Sequence, residues 1–432
     1  MYSRHLFRLY DLFAAGHPVT TDSRCVVPGS IFFALRGGNF DGNDYAAGAL
    51  KAGAVCAVVD NPKVAVDERY WVESDVLGAL QALARHHRRQ LGIPVLAITG
   101  SNGKTTTKEL LSRVLSQRFR VSTTKGNLNN HIGVPLTLLS MTPDTEFAVV
   151  EMGANHRGEI ASYCAVAEPD YGLITNIGKA HLEGFGGEAG IRKGKGELFD
   201  YLSRTGGTAF YLAESDALNE MAAERPELTA YGFLAEALET VSSEGSLLNL
   251  RYGSRIIRTN LLGDYNRYNV AAALAVGEYF EVEPSEAVEA IESYVPDNNR
   301  SQRIKAGNNI LYLDAYNANP SSMAAALENF AKTSEQGYEK ALILGDMREL
   351  GPYAEEEHRK VIGLLREWGF TEVYLVGEVF LKMNDGNGYR SFADTAGLSV
   401  YLEQHPLKQH VILIKGSRGM QLESLVPVLN GF

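Results

Sequence analysis

The chain has 432 residues, of which 45% are hydrophobic and 22% charged, and this length predicts about three domains. The composition is ordinary for a globular protein and excludes a disordered tail protein, a collagen-like repeat and a membrane bundle. The formal net charge of −11 argues against non-specific nucleic-acid binding, which requires clustered positive charge.

The cysteines and the N-terminus indicate a compartment. Cys25, Cys56 and Cys164 lie far apart and form no CxxC pair, so they predict neither a zinc site nor a disulfide framework. The first residues, MYSRHLFRLYDLFAAG, are too polar for the core of a signal peptide. No run of about 18 apolar residues appears, so no membrane span is expected. We expect a cytoplasmic protein.

The first block of the chain, residues 1–90, has short apolar runs with helical patterns between them. The patterns predict two strands and two helices, at residues 30–35 and 54–59 and at 45–52 and 76–90. The second helix ends in a basic run of His86, His87, Arg88 and Arg89. We interpret this run as a solvated helix end rather than a binding patch.

The remaining chain alternates apolar strands with helices, which indicates parallel sheets covered on both faces. Strands are predicted at residues 94–99, 147–151, 172–176, 208–212, 309–314, 341–344, 372–376 and 410–415. The expected fold class is α/β in three domains. These are a small α/β domain (1–90), a central P-loop-type parallel-sheet ATPase domain (91–296) and a C-terminal Rossmann-like doubly wound domain (297–432), with a linker at 294–299.

Residues 99–110 read TGSNGKTTTKEL and stand between a predicted strand and a predicted helix. There, backbone N–H groups and the helix dipole would face an anion. The loop is shorter than the usual pattern, which needs a glycine where this chain has Ile98. The alternative is a chance glycine turn. The residues expected at the phosphates are Gly100, Ser101, Asn102, Gly103, Lys104, Thr105 and Thr106.

A phosphate loop alone does not distinguish a kinase, a GTPase, a motor and a ligase, so three later residues matter. Glu151 ends a predicted strand and would coordinate a metal beside the phosphates, or it is a solvated strand-end acid. His181 follows another strand, where a lone histidine is more often structural. Lys195 taken alone indicates a solvated helix residue.

Four segments in this order resemble the Mur ligase family, the ATP-dependent amide ligases that build the peptide stem of the bacterial cell-wall precursor. They are TGSNGKTT, EMGANHRGEIA, ITNIGKAHLEGFG and KGELF. The resemblance covers essentially the whole chain. Further segments resemble the branch that adds D-alanyl-D-alanine to a UDP-N-acetylmuramoyl tripeptide: TKGNLNNHIGVPLTLL, DAYNANPSSM, LGDMRELG and KGSRGMQLE.

The resemblance implies roles for the matching residues. Lys104 and Thr105 would bind the γ-phosphate and Mg²⁺, and Glu151 and His181 would hold a second Mg²⁺. Lys195 matches the family's carbamylated lysine, whose added carboxylate helps to position that metal. Carbamylation turns a cation into a ligand, so the resemblance reverses the first interpretation of Lys195.

The resemblance also implies nucleotide and substrate contacts. Expected nucleotide contacts beyond the loop are Asn269, near the adenine, and Arg303, Asp314 and Tyr316. Expected substrate contacts are Ser23 and Arg24 at the UDP end, and Asn127, Asn130, Asn317, Asn319, Lys415, Ser417 and Arg418. The chain departs from the family in two places. It has Gln302-Arg303 where Gly-Arg is usual near the linker, and Asn43 where histidine is usual.

The implied reaction phosphorylates the tripeptide carboxylate with ATP, and the amine of D-alanyl-D-alanine then attacks the acyl phosphate, with release of ADP and phosphate. We expect a monomer that uses two Mg²⁺ ions and has no nucleic-acid or membrane partner. The alternatives are a sibling ligase that adds a single amino acid, a silent precursor-binding or scaffolding protein, and a folate-polyglutamate-type ligase. The last should lack the TDSR segment at residues 21–24.

Overall fold

The computed structural model describes residues 5–241, 247–297, 299–383 and 388–431. The chain divides into two compact units. One consists of Met1–Ala97, Phe119–Gly153 and Glu159–Tyr171, and the other of Ile98–Arg118, Ala154–Gly158 and Gly172–Phe432. The predicted domain boundaries near residues 90 and 296 stay a prediction, and Asn298 of the predicted linker lies outside the described residues.

The first segment is a small parallel sheet with helices. Its elements are α1 (Leu6–Ala14), β1 (Val19–Thr20), β2 (Ile31–Phe33), β3 (Arg36–Gly37), β4 (Phe40–Asp41), α2 (Ala46–Lys51), β5 (Cys56–Val59), β6 (Tyr70–Val72) and α3 (Val76–Leu91). Parallel strands run in the order β1-β2-β5-β6. Phe32, Ala57 and Val59 pack with Ala46 and Ala49 of α2 in the core. Both predicted strands and both predicted helices are confirmed, and the short β3–β4 hairpin is an addition.

The middle segment contains a six-stranded sheet. Its elements are β7 (Val95–Thr99), α4 (Lys104–Leu115), β8 (Val121–Thr123), α5 (Gly133–Leu139), β9 (Phe147–Glu151), α6 (Glu159–Ala167), β10 (Tyr171–Ile174), α7 (Leu182–Phe185), α8 (Glu188–Thr205), β11 (Thr208–Leu212), α9 (Asp216–Ala223), β12 (Thr229–Phe233), β13 (Leu238–Val241), β14 (Leu247–Tyr252), β15 (Arg255–Leu262), α10 (Asn266–Tyr279) and α11 (Pro284–Glu292). The strand order is β12-β11-β10-β7-β9-β8. The four predicted strands are confirmed. The antiparallel sheet β13-β14-β15 was not predicted.

The last segment is a doubly wound sheet. Its elements are β16 (Gln302–Ala306), β17 (Asn309–Asp314), α12 (Pro320–Lys332), β18 (Glu339–Gly345), α13 (Ala354–Glu367), β19 (Val373–Val376), α14 (Glu378–Met383), β20 (Arg390–Phe392), α15 (Thr395–Gln404), β21 (His410–Lys415) and α16 (Val426–Asn430). The order is β16-β17-β21-β18-β19-β20, parallel except for the edge strand β16. The predicted Rossmann-like fold is confirmed. Ligands bind such sheets at the carboxyl ends of the strands.

The basic run at the end of α3 is only partly solvated. His87 and Arg88 are 5% and 8% exposed, because this part of α3 packs against α5 and α6. The Arg88 guanidinium donates to the Glu168 carbonyl at 2.9 Å and to the Asp170 carboxylate at 2.7 Å, and His87 Nε2 donates to the Met141 carbonyl at 3.0 Å. The interpretation as a solvated helix end is therefore wrong for these two residues.

Within the described residues, none of the helices combines the length and the apolar character that a membrane crossing requires.

The buried His87 predicts a pH dependence of stability. Burial lowers the pKa of His87 in the folded chain below its ordinary value of 6.5. Between the lowered pKa and the ordinary pKa, the unfolded chain therefore binds more protons than the folded chain. Stability is therefore lost as the pH falls through that interval. We expect His87→Gln, whose amide still donates to the Met141 carbonyl, to flatten the fall in melting midpoint between about pH 7.5 and about pH 5.5.

The measurement is thermal unfolding of the wild type and the variant across this pH range. His86→Gln on the same helix controls for the removal of a histidine. Equal slopes for the wild type and His87→Gln would contradict the prediction.

Candidate active site

The turn between β7 and α4 is built on two glycines that no other residue can replace without strain. Gly100 has φ +143° and Gly103 has φ +79°, a region that L-residues with a side chain rarely adopt. A Cβ on Gly100 would lie 2.0 Å from Thr175 Oγ1, and one on Gly103 would lie 2.5 Å from Asn269 Oδ1. Helix α4 begins directly afterwards, so its N-terminal N–H groups point at the turn, as in an anion site.

Lys104 lies over this turn. Its Nζ donates to the carbonyls of Gly100 at 2.7 Å and Ser101 at 3.1 Å. Thr105 is 5% exposed beside it, and Thr106 is half-buried. The ammonium therefore sits where it would meet the terminal phosphates of a nucleotide.

Two of the predicted loop residues hold the turn in place. Ser101 Oγ donates to the Gly178 carbonyl at 2.8 Å and accepts from the Gly178 N–H at 2.9 Å. The Asn102 N–H donates to Asn176 Oδ1 at 3.0 Å. These bonds tie the phosphate loop to the segment that follows β10, which also carries His181.

Asn269 lies on α10 and is 6% exposed. Its Oδ1 accepts from Thr107 Oγ1 at 3.0 Å, and its Nδ2 donates to Asn266 Oδ1 at 2.7 Å. The side chain thus joins α10 to the first turn of α4, directly beside Gly103.

Glu151 at the end of β9 is a buried carboxylate, 1% exposed. Its Oε1 accepts from Asn129 Nδ2 at 2.8 Å, and its N–H donates to Thr124 Oγ1 at 2.9 Å. The interpretation as a solvated strand-end acid is therefore excluded. Asn129 was not among the predicted site residues. Of its predicted neighbours, Asn127 is exposed, and Asn130 Oδ1 accepts from two N–H groups at the start of α5.

His181 precedes α7 and has φ +53°, an uncommon conformation for a residue with a side chain. Its Nδ1 contacts a carboxylate oxygen of Glu349, which lies in the loop after β18. The Glu183 N–H donates to the Glu349 carbonyl at 3.3 Å. The hydrogen bond from His181 lowers the pKa of the Glu349 carboxyl, although partial burial opposes this shift. Sequence reasoning missed Glu349.

Lys195 on α8 is 1% exposed, so it is not a solvated helix residue. Its Nζ donates to the Ala154 carbonyl at 3.0 Å and lies 5.0 Å from the centroid of the Phe185 ring. Across the described ranges, no group of three or more His, Cys, Asp or Glu side chains is arranged to hold a metal ion.

The predicted residues at the ends of β17 and β21 meet. Lys415, 1% exposed, lies 2.5 Å from the Asp314 carboxylate and donates to the Asn317 carbonyl at 3.3 Å. The Arg418 guanidinium lies 5.3 Å from the centroid of the Tyr316 ring. Five predicted residues of two strand ends thus form two contacts, Lys415 with Asp314 and Asn317, and Arg418 with Tyr316.

Arg303 has a different neighbourhood. It lies on β16 and its Nε donates to Glu335 Oε1 at 2.9 Å, whereas the Arg300 guanidinium lies 3.8 Å from the centroid of the Tyr316 ring. Asn299 before it has φ +57°, a conformation that glycine adopts readily. Asn299-Arg300 is therefore an alternative to Gln302-Arg303 for the position of the family's Gly-Arg pair.

Two further predicted contact residues form hydrogen bonds to other residues of the chain. Asn319 Oδ1 caps α12 by accepting from the Ser322 N–H at 2.9 Å, and its Nδ2 donates to Asn102 Oδ1 at 2.7 Å. Ser417, 4% exposed, accepts the Arg348 N–H on its Oγ at 2.9 Å. Asn319 thus connects α12 to the phosphate loop.

A crevice of about 670 Å³ opens at the carboxyl ends of β18, β19, β20 and β21. Its lining includes Arg348, Glu349, Glu378, Thr395 and Gln421. Two of the segments that resemble the family, LGDMRELG and KGSRGMQLE, contribute to its walls, which come from four loops that are separated along the chain.

In the first segment, Ser23 and Arg24 form a short turn after β1. The Arg24 side chain is 87% exposed and bonds to Asp22 at 2.7 Å, and this contact lowers the pKa of Asp22 to about 2. Asn43 is 2% exposed and donates to Asp41 and Asp60 at 2.6 and 2.7 Å. Asn43 therefore joins the loops that contain Asp41 and Asp60, and these hydrogen bonds accommodate asparagine where the family usually has histidine.

Family models match three consecutive segments of the chain. Residues 16–95 match the catalytic domain of the Mur ligase family, residues 98–277 the Mur ligase middle domain, and residues 299–418 the Mur ligase glutamate ligase domain. The expected three-domain α/β architecture is thereby confirmed.

Individual proteins match over almost the whole chain. The UDP-N-acetylmuramoyl-tripeptide–D-alanyl-D-alanine ligase of Escherichia coli is 37% identical over 95% of this chain and 93% of its own. The solved MurF of Acinetobacter baumannii is 28% identical with a TM-score of 0.86, covering 98% of each chain. MurF of Thermotoga maritima in complex with ADP is 25% identical with a TM-score of 0.82, covering 97% of this chain and 98% of its own. With its phosphate loop, its three matched segments and these full-length relatives, the chain belongs to the Mur ligase family.

Proposed function

We propose that the chain is an ATP-dependent peptide ligase that adds D-alanyl-D-alanine to UDP-N-acetylmuramoyl tripeptide in peptidoglycan precursor synthesis. The phosphate loop, with Lys104 over its carbonyls and α4 beginning directly after it, supports the use of ATP. The observation that carries the choice of this reaction is the match to relatives named for it over 95% of this chain. The relatives named for this reaction match along nearly their full length, which supports the same substrates here.

The proposed chemistry has two transfers. The tripeptide carboxylate attacks the γ-phosphorus of ATP, the bond to the β-phosphate oxygen breaks, and ADP leaves. The neutral amine of the dipeptide then attacks the acyl carbon, and the carbon–oxygen bond to phosphate breaks while the amine proton passes to solvent. Carboxylate and triphosphate repel each other, and Lys104 with the loop N–H groups would offset this repulsion.

The residues present fit Mg²⁺, which prefers oxygen ligands. Thr105 offers a hydroxyl, and Glu151 offers a buried carboxylate oriented by Asn129. His181 would offer Nε2 as a ligand, because its Nδ1 is engaged by Glu349. When bound, the two ions would neutralise phosphate charge and hold the phosphoryl group in line for transfer.

Lys195 fits a ligand role only after modification. We propose that its amine adds to CO₂, forming an N–C bond and releasing one proton, so that the resulting carbamate carries a negative charge. The almost complete burial of Lys195 places this group away from bulk water.

We assign the three predicted domains to three substrates. Residues 1–90 would bind the UDP end through Ser23 and Arg24, residues 91–296 would bind ATP, and residues 297–432 would bind the dipeptide. The crevice at the carboxyl ends of β18, β19, β20 and β21 suits the dipeptide, because Arg348 lines it and its guanidinium can bind a carboxylate. We further propose a cytoplasmic monomer without a nucleic-acid partner.

The direct test is phosphate release from ATP with UDP-N-acetylmuramoyl tripeptide and D-alanyl-D-alanine, using both the diaminopimelate and the lysine tripeptide. We expect dipeptide-dependent release that Lys104→Ala lowers at least about 100-fold. Lys51→Ala, at an exposed position on α2, is the control. Absence of dipeptide-dependent release would refute the proposal, and release with a single amino acid instead would favour a sibling ligase.

A second test decides between two arginines. Because Arg300 lies against Tyr316 and Arg303 pairs with Glu335, we expect Arg300→Ala to lower kcat/KM for ATP by about 10- to 100-fold. Arg303→Ala should change it by less than about threefold, because the Arg303 guanidinium is already engaged by the Glu335 carboxylate, whose side chain is 9% exposed. The opposite order would favour Arg303 as the nucleotide contact.

A third test concerns the turn itself. We expect Gly103→Ala to weaken ADP binding at least about tenfold, because Ala would adopt a positive φ and crowd Asn269. Gly363→Ala on α13 is the matched control, since a Cβ there meets nothing within 4 Å. Calorimetric titration with ADP measures both variants, and unchanged affinity in Gly103→Ala would contradict the close approach.

A further inference from the structure

We propose that Glu349 is a positioning residue that fixes the imidazole of His181 with Nδ1–H donated to its carboxylate and Nε2 left as the acceptor nitrogen. The contact between His181 Nδ1 and a Glu349 carboxylate oxygen carries this inference. A carboxylate can only accept, so Nδ1 must carry the proton. The inference about the ligand of Nε2 rests on the proposed function. The inference about the tautomer of His181 rests only on its contact with Glu349.

Glu349 is also attached through its backbone to the segment that carries His181. Its carbonyl accepts from the Glu183 N–H at 3.3 Å. Gly351, with φ +51°, lies so close to Glu183 that a Cβ there would be 2.9 Å from the Glu183 side chain. Residues 349–351 therefore contact residues 181–183 in three ways: through the Glu349 side chain, through the Glu349 carbonyl, and through the close approach of Gly351 to the Glu183 side chain.

The same segment is anchored at its start. The Lys179 N–H donates to Ser321 Oγ at 2.8 Å, and Gly178 exchanges hydrogen bonds with Ser101 of the phosphate loop. His181 thus lies between an attachment to the phosphate loop and an attachment to the loop after β18. Glu349 determines the ring orientation, and its own position depends on the loop that lines the crevice.

A purely structural ion pair would explain this contact less well. The His181 and Glu349 side chains are 18% and 53% exposed, and pairs open to solvent contribute little to stability. Orientation of a histidine by a carboxylate on its second nitrogen is a common way to prepare the other nitrogen for a ligand. Both residues also adopt positive φ values, +53° and +61°, which a surface pair does not need.

The test reads the tautomer directly by ¹⁵N NMR of the histidine rings in the full chain. Spectra are recorded at about pH 8.5, above the ordinary histidine pKa. His181→Asn assigns its signal among the 10 histidines. We expect Nδ1–H in the wild type, loss of that preference in Glu349→Ala, and its retention in Glu349→Gln, whose amide oxygen still accepts.

Glu355→Ala is the matched control, because it removes an exposed carboxylate from the same region and should leave the tautomer unchanged. In the ligase assay we expect Glu349→Ala to lower kcat about 10- to 100-fold, with partial rescue by Glu349→Gln. Nε2–H in the wild type, or an unchanged tautomer in Glu349→Ala, would overturn the inference. If the His181 tautomer changes in Glu349→Ala but the wild type shows no ligase activity, the positioning role of Glu349 is supported and the proposed function is refuted.

Discussion

The close approach of backbone to backbone at the ends of β7 and β10 is the constraint on which the phosphate site depends. Gly100 and Gly103 leave no room for a Cβ beside Thr175 and Asn269. Because these glycines let the chain turn so sharply, α4 starts at once and its N–H groups converge on one point. Gly178, Asn176 and Asn319 are attached to this turn by hydrogen bonds.

Buried charges are the second organising feature. Lys195 and Lys415 are each 1% exposed, and both have carbonyl partners within 3.3 Å. Glu151 is oriented by an amide, and Arg88 by carbonyls and a carboxylate. A charge removed from water is costly unless polar groups replace the water. The fold therefore surrounds each of these buried charges with polar partners.

Sequence reasoning predicted what is local. The strand, turn and helix around Lys104 are adjacent in the chain, so the pattern alone indicated the phosphate loop, and the apolar runs gave the parallel strands. Sequence reasoning failed where the interaction partner of a side chain lies far away along the chain. The carboxylate partner of Arg88 lies 82 positions later and Glu349 lies 168 positions after His181, and neither separation has a periodic signal. The contact between Arg300 and Tyr316, which makes Arg300 a second candidate beside Arg303, is likewise visible only in the folded chain.

The pair of arginines at Tyr316 has a consequence for how nucleotide arrives. Two guanidinium groups lie within 5.3 Å of one ring centroid in a chain of net charge −11. Two positive groups at one ring raise the local electrostatic potential, so part of the attraction for an anion would be present before contact. Such a local positive field acts over about one Debye length. Nucleotide capture by this protein should therefore slow as ionic strength rises, although the molecule as a whole repels anions.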